Sequence, residues 1–161
     1  FTALNTGHSG FGTLHANDAR ETITRLTNDP MKVPEIMIQA IDFIIMQNRI
    51  YTYSGVSYRR ISEVAEIVGM EEGVIQLNKI FQWNPETDTI DNVSVSSKTL
   101  SQIAALSGKS ITELHNEIEK RELVLKHMVK HDIRSVEEVK NVLDLYFKNG
   151  DNVLERIILN R

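Results

Sequence analysis

Thr6-Gly7-His8-Ser9-Gly10-Phe11-Gly12-Thr13-Leu14-His15-Ala16 is the stretch on which the reading of this 161-residue chain turns. It gathers two histidines, two threonines and three glycines into eleven residues, the only such concentration of potential ligands in the chain. Phe11-Gly12-Thr13-Leu14 is expected to be a buried strand ending at His15. The glycines allow the backbone to come close to a ligand. From the residues alone the stretch admits three readings: a phosphate sensor, a metal site, or a packed turn with structural histidines. His8 and His15 fall at different edges of it with no carboxylate between them, which weakens the metal reading.

Moving toward the C-terminus, Asp18 with Glu21 has the spacing of a capping box and opens a helix that continues through Leu26 and stops before Asn28-Asp29-Pro30. Pro34 falls at a first helical position, followed by the apolar Ile36, Met37 and Ala40. Ile41-Asp42-Phe43-Ile44-Ile45-Met46 is β-branched and nearly continuously apolar, as a strand covered on both faces would be. Tyr51 and Tyr53, Ser54-Gly55, then Val56 and Tyr58 read as a hairpin. Residues 59–68 are ambiguous: Ile61, Val64, Ala65 and Val68 fit helical spacing, while their β-branched character favours a strand. After Glu71-Glu72-Gly73, the residues Ile75, Leu77, Phe81 and Trp83 follow period two, with Lys79 the exception. Asn84-Pro85-Glu86-Thr87-Asp88 supplies turn chemistry, and Thr89-Ile90 begins a return strand.

Composition becomes serine-rich at residues 94–98, and the rest reads as helix, so the expected division is 1–96 and 97–161. Residues 100–106 form a short helix ended by Ser107-Gly108. Ser110 with Glu113 and Ser135 with Glu138 are further capping boxes. The first opens a long helix carrying Ile111, Leu114, Ile118, Leu125, Met128 and Val129. The second leads through Val139, Val142, Leu143 and Tyr146 to a stop at Asn149-Gly150. Asp151 then caps a last helix with Val153, Leu154, Ile157 and Ile158. So small a helical bundle is expected to need a packing partner.

With 41% hydrophobic and 25% charged residues the chain falls among globular proteins, not disordered ones. Eight glycines and three prolines argue against a small sandwich or barrel of many hairpins. Eighteen basic against 22 acidic residues give a net charge of −4, unsuited to a broad basic face for nucleic acid or anionic lipid. The absence of cysteine excludes disulfides and thiolate chemistry and fits a reducing cytosol. No apolar run approaches the ~20 residues of a membrane span.

Three further patterns carry less than they suggest. Ser107-Gly108-Lys109-Ser110 ends like a phosphate-binding loop, but position 103 is Ile where that loop needs Gly, and a helix precedes it instead of a strand. Residues 100–118 have the spacing of a helix-turn-helix, with Ala104, Gly108 and Leu114 in place. Glu113, Glu117 and Glu119 make the second helix a poor surface to present to phosphates; the alternative reading of the chain is a non-catalytic interaction module, with DNA binding through this helix pair as one form of it. His127 and His131 share a helical face at i, i+4 but lack a third ligand, and beside Lys126 and Lys130 they suit the negative end of a helix. His115 reads as a surface residue, and no metal site is expected.

Thr6-Gly7-His8 followed by Gly12-Thr13-Leu14-His15-Ala16 resembles the His box of the hexameric secretion and type IV pilus ATPases, the superfamily of type II and type IV secretion, pilus and archaellum motors. Arg20-Glu21, Arg25-Leu26, Val33-Pro34, Met37-Ile38-Gln39-Ala40, Tyr58-Arg59-Arg60-Ile61-Ser62-Glu63-Val64 and residues 78–85 continue the likeness. With Val124-Leu125-Lys126-His127-Met128-Val129 and Ile133-Arg134, it is similar to the archaeal members.

The resemblance implies an α/β fold: the C-terminal part of a RecA-like P-loop NTPase domain followed by a small all-α bundle, with residues 59–68 a strand. It implies His8, Thr13 and His15 as catalytic residues near the γ-phosphate, and Thr6, Gly7, Arg20, Arg25, Arg59 and Arg60 as nucleotide or intersubunit contacts. Donors and cations in those roles would meet charge on a transferring phosphoryl group. The family's Walker A and Walker B motifs precede its His box and have no counterpart here, and the chain begins at Phe1. The resemblance therefore implies a fragment of a cytoplasmic ATPase that works peripherally at the membrane. The parent would be a homo-hexamer using ATP and Mg2+ and docking on a membrane platform protein. The fragment alone is expected to bind neither ATP nor Mg2+ and not to hydrolyse ATP.

Overall fold

The computed structural model describes residues 1–51 and 55–159. The chain divides into two compact units, Phe1–Ser101 and Gln102–Arg161.

In the first unit, α1 (Thr2–Asn5), α2 (Ala19–Thr27) and α3 (Glu35–Ile38) precede β1 (Phe43–Tyr51), β2 (Ser57–Glu71), β3 (Val74–Asn84) and β4 (Thr89–Asn92). The strands form one sheet in the order β1-β2-β3-β4, and every adjacent pair is antiparallel. The fold is thus mixed α/β, and residues 59–68 are strand. The sheet itself departs from the expected P-loop core, whose strands run parallel. The β2–β3 and β3–β4 connections are short turns, and strands joined that way can pair only antiparallel. Glu72 and Gly73, with φ of 50° and 79°, make the two-residue β2–β3 turn between the paired Glu71 and Val74, the left-handed pair such a hairpin favours. Tyr53 and Ser54 of the expected β1–β2 turn lie outside the described residues, as do the side chains of Asp151, Val153, Ile157 and Ile158.

β1 corrects a second expectation. Its burial alternates: Ile44 and Met46 are buried, whereas Phe43 and Ile45 are exposed, Ile45 by 60%. Only one face is covered. A β-branched run looks the same whether one face or both are buried, so composition could not separate the cases. On the covered face Ile44, Met46, Ala65, Ile67 and Ile75 pack with Ala19, Ile23 and Leu26 of α2 and Ile38 of α3. β3 also breaks its own period. Val64 pairs with Phe81 but Ala65 with Lys79, so Ile80 is an extra residue and the strand changes face there. That bulge buries Ile80 and leaves Phe81 exposed, although simple alternation would put Phe81 on the same face as Ile75 and Leu77.

The expected strand over Phe11-Gly12-Thr13-Leu14 does not form. The segment is irregular, and Phe11 is fully exposed. A strand needs a neighbouring ladder to pair its backbone, and none of the described strands pairs with it.

In the second unit α4 (Lys98–Ser107), which begins in the first, leads to α5 (Ile111–Lys130) and α6 (Val136–Leu159). Gly108, at φ 70°, ends α4, and its amide donates to Ala104 O at 3.0 Å. The Ser107-Gly108-Lys109-Ser110 stretch is therefore a helix end followed by a helix start. Ser110 and Glu113 form a complete capping box, and Ser135 with Glu138 repeats it. The polypeptide of α6 leaves helical geometry at Asn149 (φ −157°, ψ 70°), so two helices meet there. Val124, Met128, Tyr146 and Leu154 are the core of this unit. Among the described residues no helix is long and apolar enough to cross a membrane.

Candidate functional site

The residues 6–16 are held at both ends. At the first, Thr6-Gly7-His8 terminates α1. The His8 amide donates to Ala3 O at 3.1 Å and the Gly7 amide to Leu4 O at 3.3 Å, while Gly7 takes φ 91°. This is the Schellman pattern, in which a residue without Cβ adopts the left-handed turn. Thr6 Oγ1 donates to Ala3 O at 3.0 Å and lies 3.3 Å from His8 Nδ1. At the second end, Leu14 and Ala16 pack against the core. The Asp18 carboxylate then accepts from the Glu21 amide at 2.7 Å, and the Glu21 carboxylate accepts from the Asn17 amide at 2.7 Å. Glu21 thus reaches one residue beyond the expected capping-box partner.

Between these anchors Thr13 and His15 are exposed. Among the described residues neither side chain has a hydrogen-bond or ion-pair partner. Of the proposed site residues, Thr6 meets His8, and Arg60 Nη1 donates to Arg59 O at 3.1 Å; among the described residues no hydrogen bond or ion pair joins Thr13 or His15 to the others.

The arginines are positioned elsewhere. Arg20 Nη1 donates to Ile75 O at 2.7 Å, tying α2 to β3. Arg25 pairs with Glu21 one helical turn back, Nη2 to Oε1 at 2.6 Å. Arg60 grips both carboxylate oxygens of Asp88, Nε at 2.7 Å and Nη2 at 2.6 Å, and lies over the Tyr58 ring at 4.4 Å. Trp83 Nε1 donates to the same carboxylate at 3.0 Å. The Arg60 hydrogen bonds, and then the one from Trp83, hold the Asp88 carboxyl at about 2. Asp88 is itself at φ 52° in the β3–β4 turn, so this cluster fixes that turn. Arg59 is exposed on β2, opposite Arg49 in β1.

His127 and His131 have ring centroids 4.3 Å apart. Burial first, then the neighbouring His131 and Lys130 charges, push the His127 pKa down. No group of three potential metal ligands occurs among the described residues. Reading the sequence missed Glu66, and it named Asp88 as a turn residue without its Arg60 and Trp83 partners. The available signal for Glu66 was a lone carboxylate inside Val64-Ala65-Glu66-Ile67-Val68.

A family model described as "Type II/IV secretion system protein" matches residues 1–157. Similar proteins include three from Methanocaldococcus jannaschii. The uncharacterized protein MJ1287 is 36% identical over 146 residues, covering 89% of this chain and 53% of that protein. The uncharacterized protein MJ0781 is 34% identical over 148 residues, 91% of this chain and 20% of that protein. The uncharacterized protein MJ0900 is 28% identical over 155 residues, 93% and 28% respectively. The chain spans about half the length of the first and smaller shares of the other two. This chain belongs to the type II/IV secretion system protein family.

Proposed function

We propose that this chain works as part of a hexameric motor ATPase that couples ATP hydrolysis to protein secretion or to assembly of a pilus- or archaellum-like filament. The first unit is read as belonging to a RecA-like nucleotide-binding domain, of which the antiparallel sheet is a peripheral part. The observation that carries the reading is the family match over residues 1–157 together with Thr13 and His15, exposed and without a side-chain partner among the described residues, within the segment that resembles a His box.

In this reading Thr13 and His15 approach the γ-phosphate, where positioned donors stabilise the charge that develops on transfer. They fit that role because no internal partner has to be displaced first. His8 and Thr6 shape the entry to the segment, and Gly7 gives it its turn. ATP with Mg2+ supplies the phosphoryl group and its charge-neutralising ion when bound. Arg20, Arg25 and Arg60 already have partners in the chain, so a phosphate or a neighbouring subunit would have to compete for them; Arg59 is the more accessible contact. The partner machinery is a membrane platform protein met at the cytoplasmic face.

The experiment is an ATPase and sizing assay on a longer protein containing these residues behind a phosphate-binding loop. It should hydrolyse ATP and assemble as a hexamer, while the 161-residue chain should show no turnover. Absence of hydrolysis in the longer protein, or turnover by the purified chain, would contradict the reading.

A further inference from the structure

The residues Ser94, Ser96 and Ser97 have the composition of a slack linker, yet they are tied to the sheet. At the centre is Glu66 of β2, whose side chain is fully buried. Its Oε1 accepts from the Ser97 hydroxyl at 2.9 Å and the Thr99 amide at 2.6 Å. Its Oε2 accepts from the Lys98 amide at 2.9 Å and from Asn78 Nδ2 at 3.4 Å. Asn78, opposite Glu66 in β3, also donates to Ser96 O at 2.8 Å and accepts from the Ser94 hydroxyl at 3.0 Å. Lys98 Nζ donates to Ile67 O at 3.1 Å, and the Val93 amide donates to Ile80 O at 2.8 Å.

Each element of this arrangement has a physical reason. The first turn of a helix leaves backbone N–H groups without internal acceptors, and a carboxylate there satisfies them and complements the positive helix end. Caps are ordinarily local; this one comes from 31–33 residues earlier in the chain. A buried carboxylate without hydrogen bonds would be costly, whereas four donors make this one a fixed point.

We propose that Glu66 is a clamp that makes residues 94–99 part of the sheet unit, so that the serine-rich stretch is not a bendable joint of the chain. α4 then starts from β2 as a fixed strut. In a motor such as the one proposed above, a displacement of β2 would reach the start of α4 undamped. That use rests on the motor reading, whereas the clamp does not.

The test is limited trypsin digestion of the full 161-residue chain, following cleavage after Lys98 against cleavage after the exposed Lys109. In the unaltered chain the Lys98 cut should be much slower than the Lys109 cut. Glu66→Ala should accelerate the Lys98 cut by a factor on the order of 10–100, the loss expected for hydrogen bonds to a charged acceptor, while Trp83 emission and the β-sheet circular dichroism stay unchanged. If Glu66→Ala loses the sheet signals, the near-isosteric Glu66→Gln, which keeps one acceptor oxygen, is judged by the same criterion. Equal rates at the two lysines in the unaltered chain would overturn the clamp. So would an unaltered Lys98 rate in a variant whose sheet signals persist. Neither result depends on ATP hydrolysis, so failure of the clamp and failure of the motor reading are told apart.

Discussion

Residues 6–16 and residues 93–97 are both irregular segments made largely of small and hydroxyl-bearing side chains, but the fold treats them in opposite ways. The second is drawn onto the sheet by a buried carboxylate, and the side chains of Ser94 and Ser97 have partners there. The first is fixed at its ends, by the α1 cap and by Leu14 and Ala16, while Thr13 and His15 are exposed and their side chains have no hydrogen-bond or ion-pair partner among the described residues. A segment whose polar groups are satisfied internally contributes to stability. One whose polar groups are held out in water has them available for a ligand. The serine-rich segment is thus structural, and the histidine-rich one is where the proposed function puts the chemistry.

The largest expected effect breaks the clamped segment. Glu66→Ala removes the acceptor for two backbone amides, a hydroxyl and an amide side chain, and should destabilise the first unit by about 2–4 kcal/mol in urea unfolding followed by Trp83 emission. A loss under about 0.5 kcal/mol would remove the contrast between the segments.

Acid should act on the same group. Burial alone would raise the Glu66 pKa, but the hydrogen bonds from Thr99, Lys98 and Ser97 prevail and hold it at about 2, below its ordinary 4.5. Its folded pKa is therefore depressed. The stabilisation it provides is present above about pH 4.5 and is lost as pH falls toward 2. Stability of the unaltered chain should decline over that window more steeply than that of Glu66→Gln; parallel pH profiles would contradict the assignment.

A smaller effect is expected at the entry to the histidine-rich segment. Gly7→Ala forces a Cβ into φ 91° and should cost about 1 kcal/mol, read from the unfolding midpoint of the chain. The smallest belongs to the middle of the segment, where Thr13→Ala and His15→Ala should each change stability by less than about 0.5 kcal/mol. A loss above about 1 kcal/mol at either would show that the segment is structural after all.

Much of this architecture was legible in the sequence. Ser110 with Glu113 and Ser135 with Glu138 announced two helix starts because a capping box is complete within four residues. Asn149 announced a helix stop for the same local reason. What escaped was nonlocal. Glu66 looked like one polar residue in an apolar strand, and nothing within ten residues of it names Ser97, Lys98 or Thr99 as its partners. The Ile80 bulge hid which of Phe81 and Ile80 is buried, since one extra residue exchanges the faces of everything after it. The sidedness of β1 was hidden by its uniform composition. For the candidate site, the resemblance to the His box picked out residues 6–16, but composition could not foretell that Phe11-Gly12-Thr13-Leu14 would lie unpaired. Nor could it foretell that Arg20, Arg25 and Arg60 would each be bound to partners in the chain.

His15 carries the central claim, and the most direct measurement is ATP turnover by a longer protein that contains this chain and a phosphate-binding loop, with and without His15→Ala. The account predicts a fall in turnover on the order of 100- to 1000-fold, the range for removing a positioned donor from a transition state, with the unfolding midpoint unchanged. Equal turnover in the two proteins would contradict it.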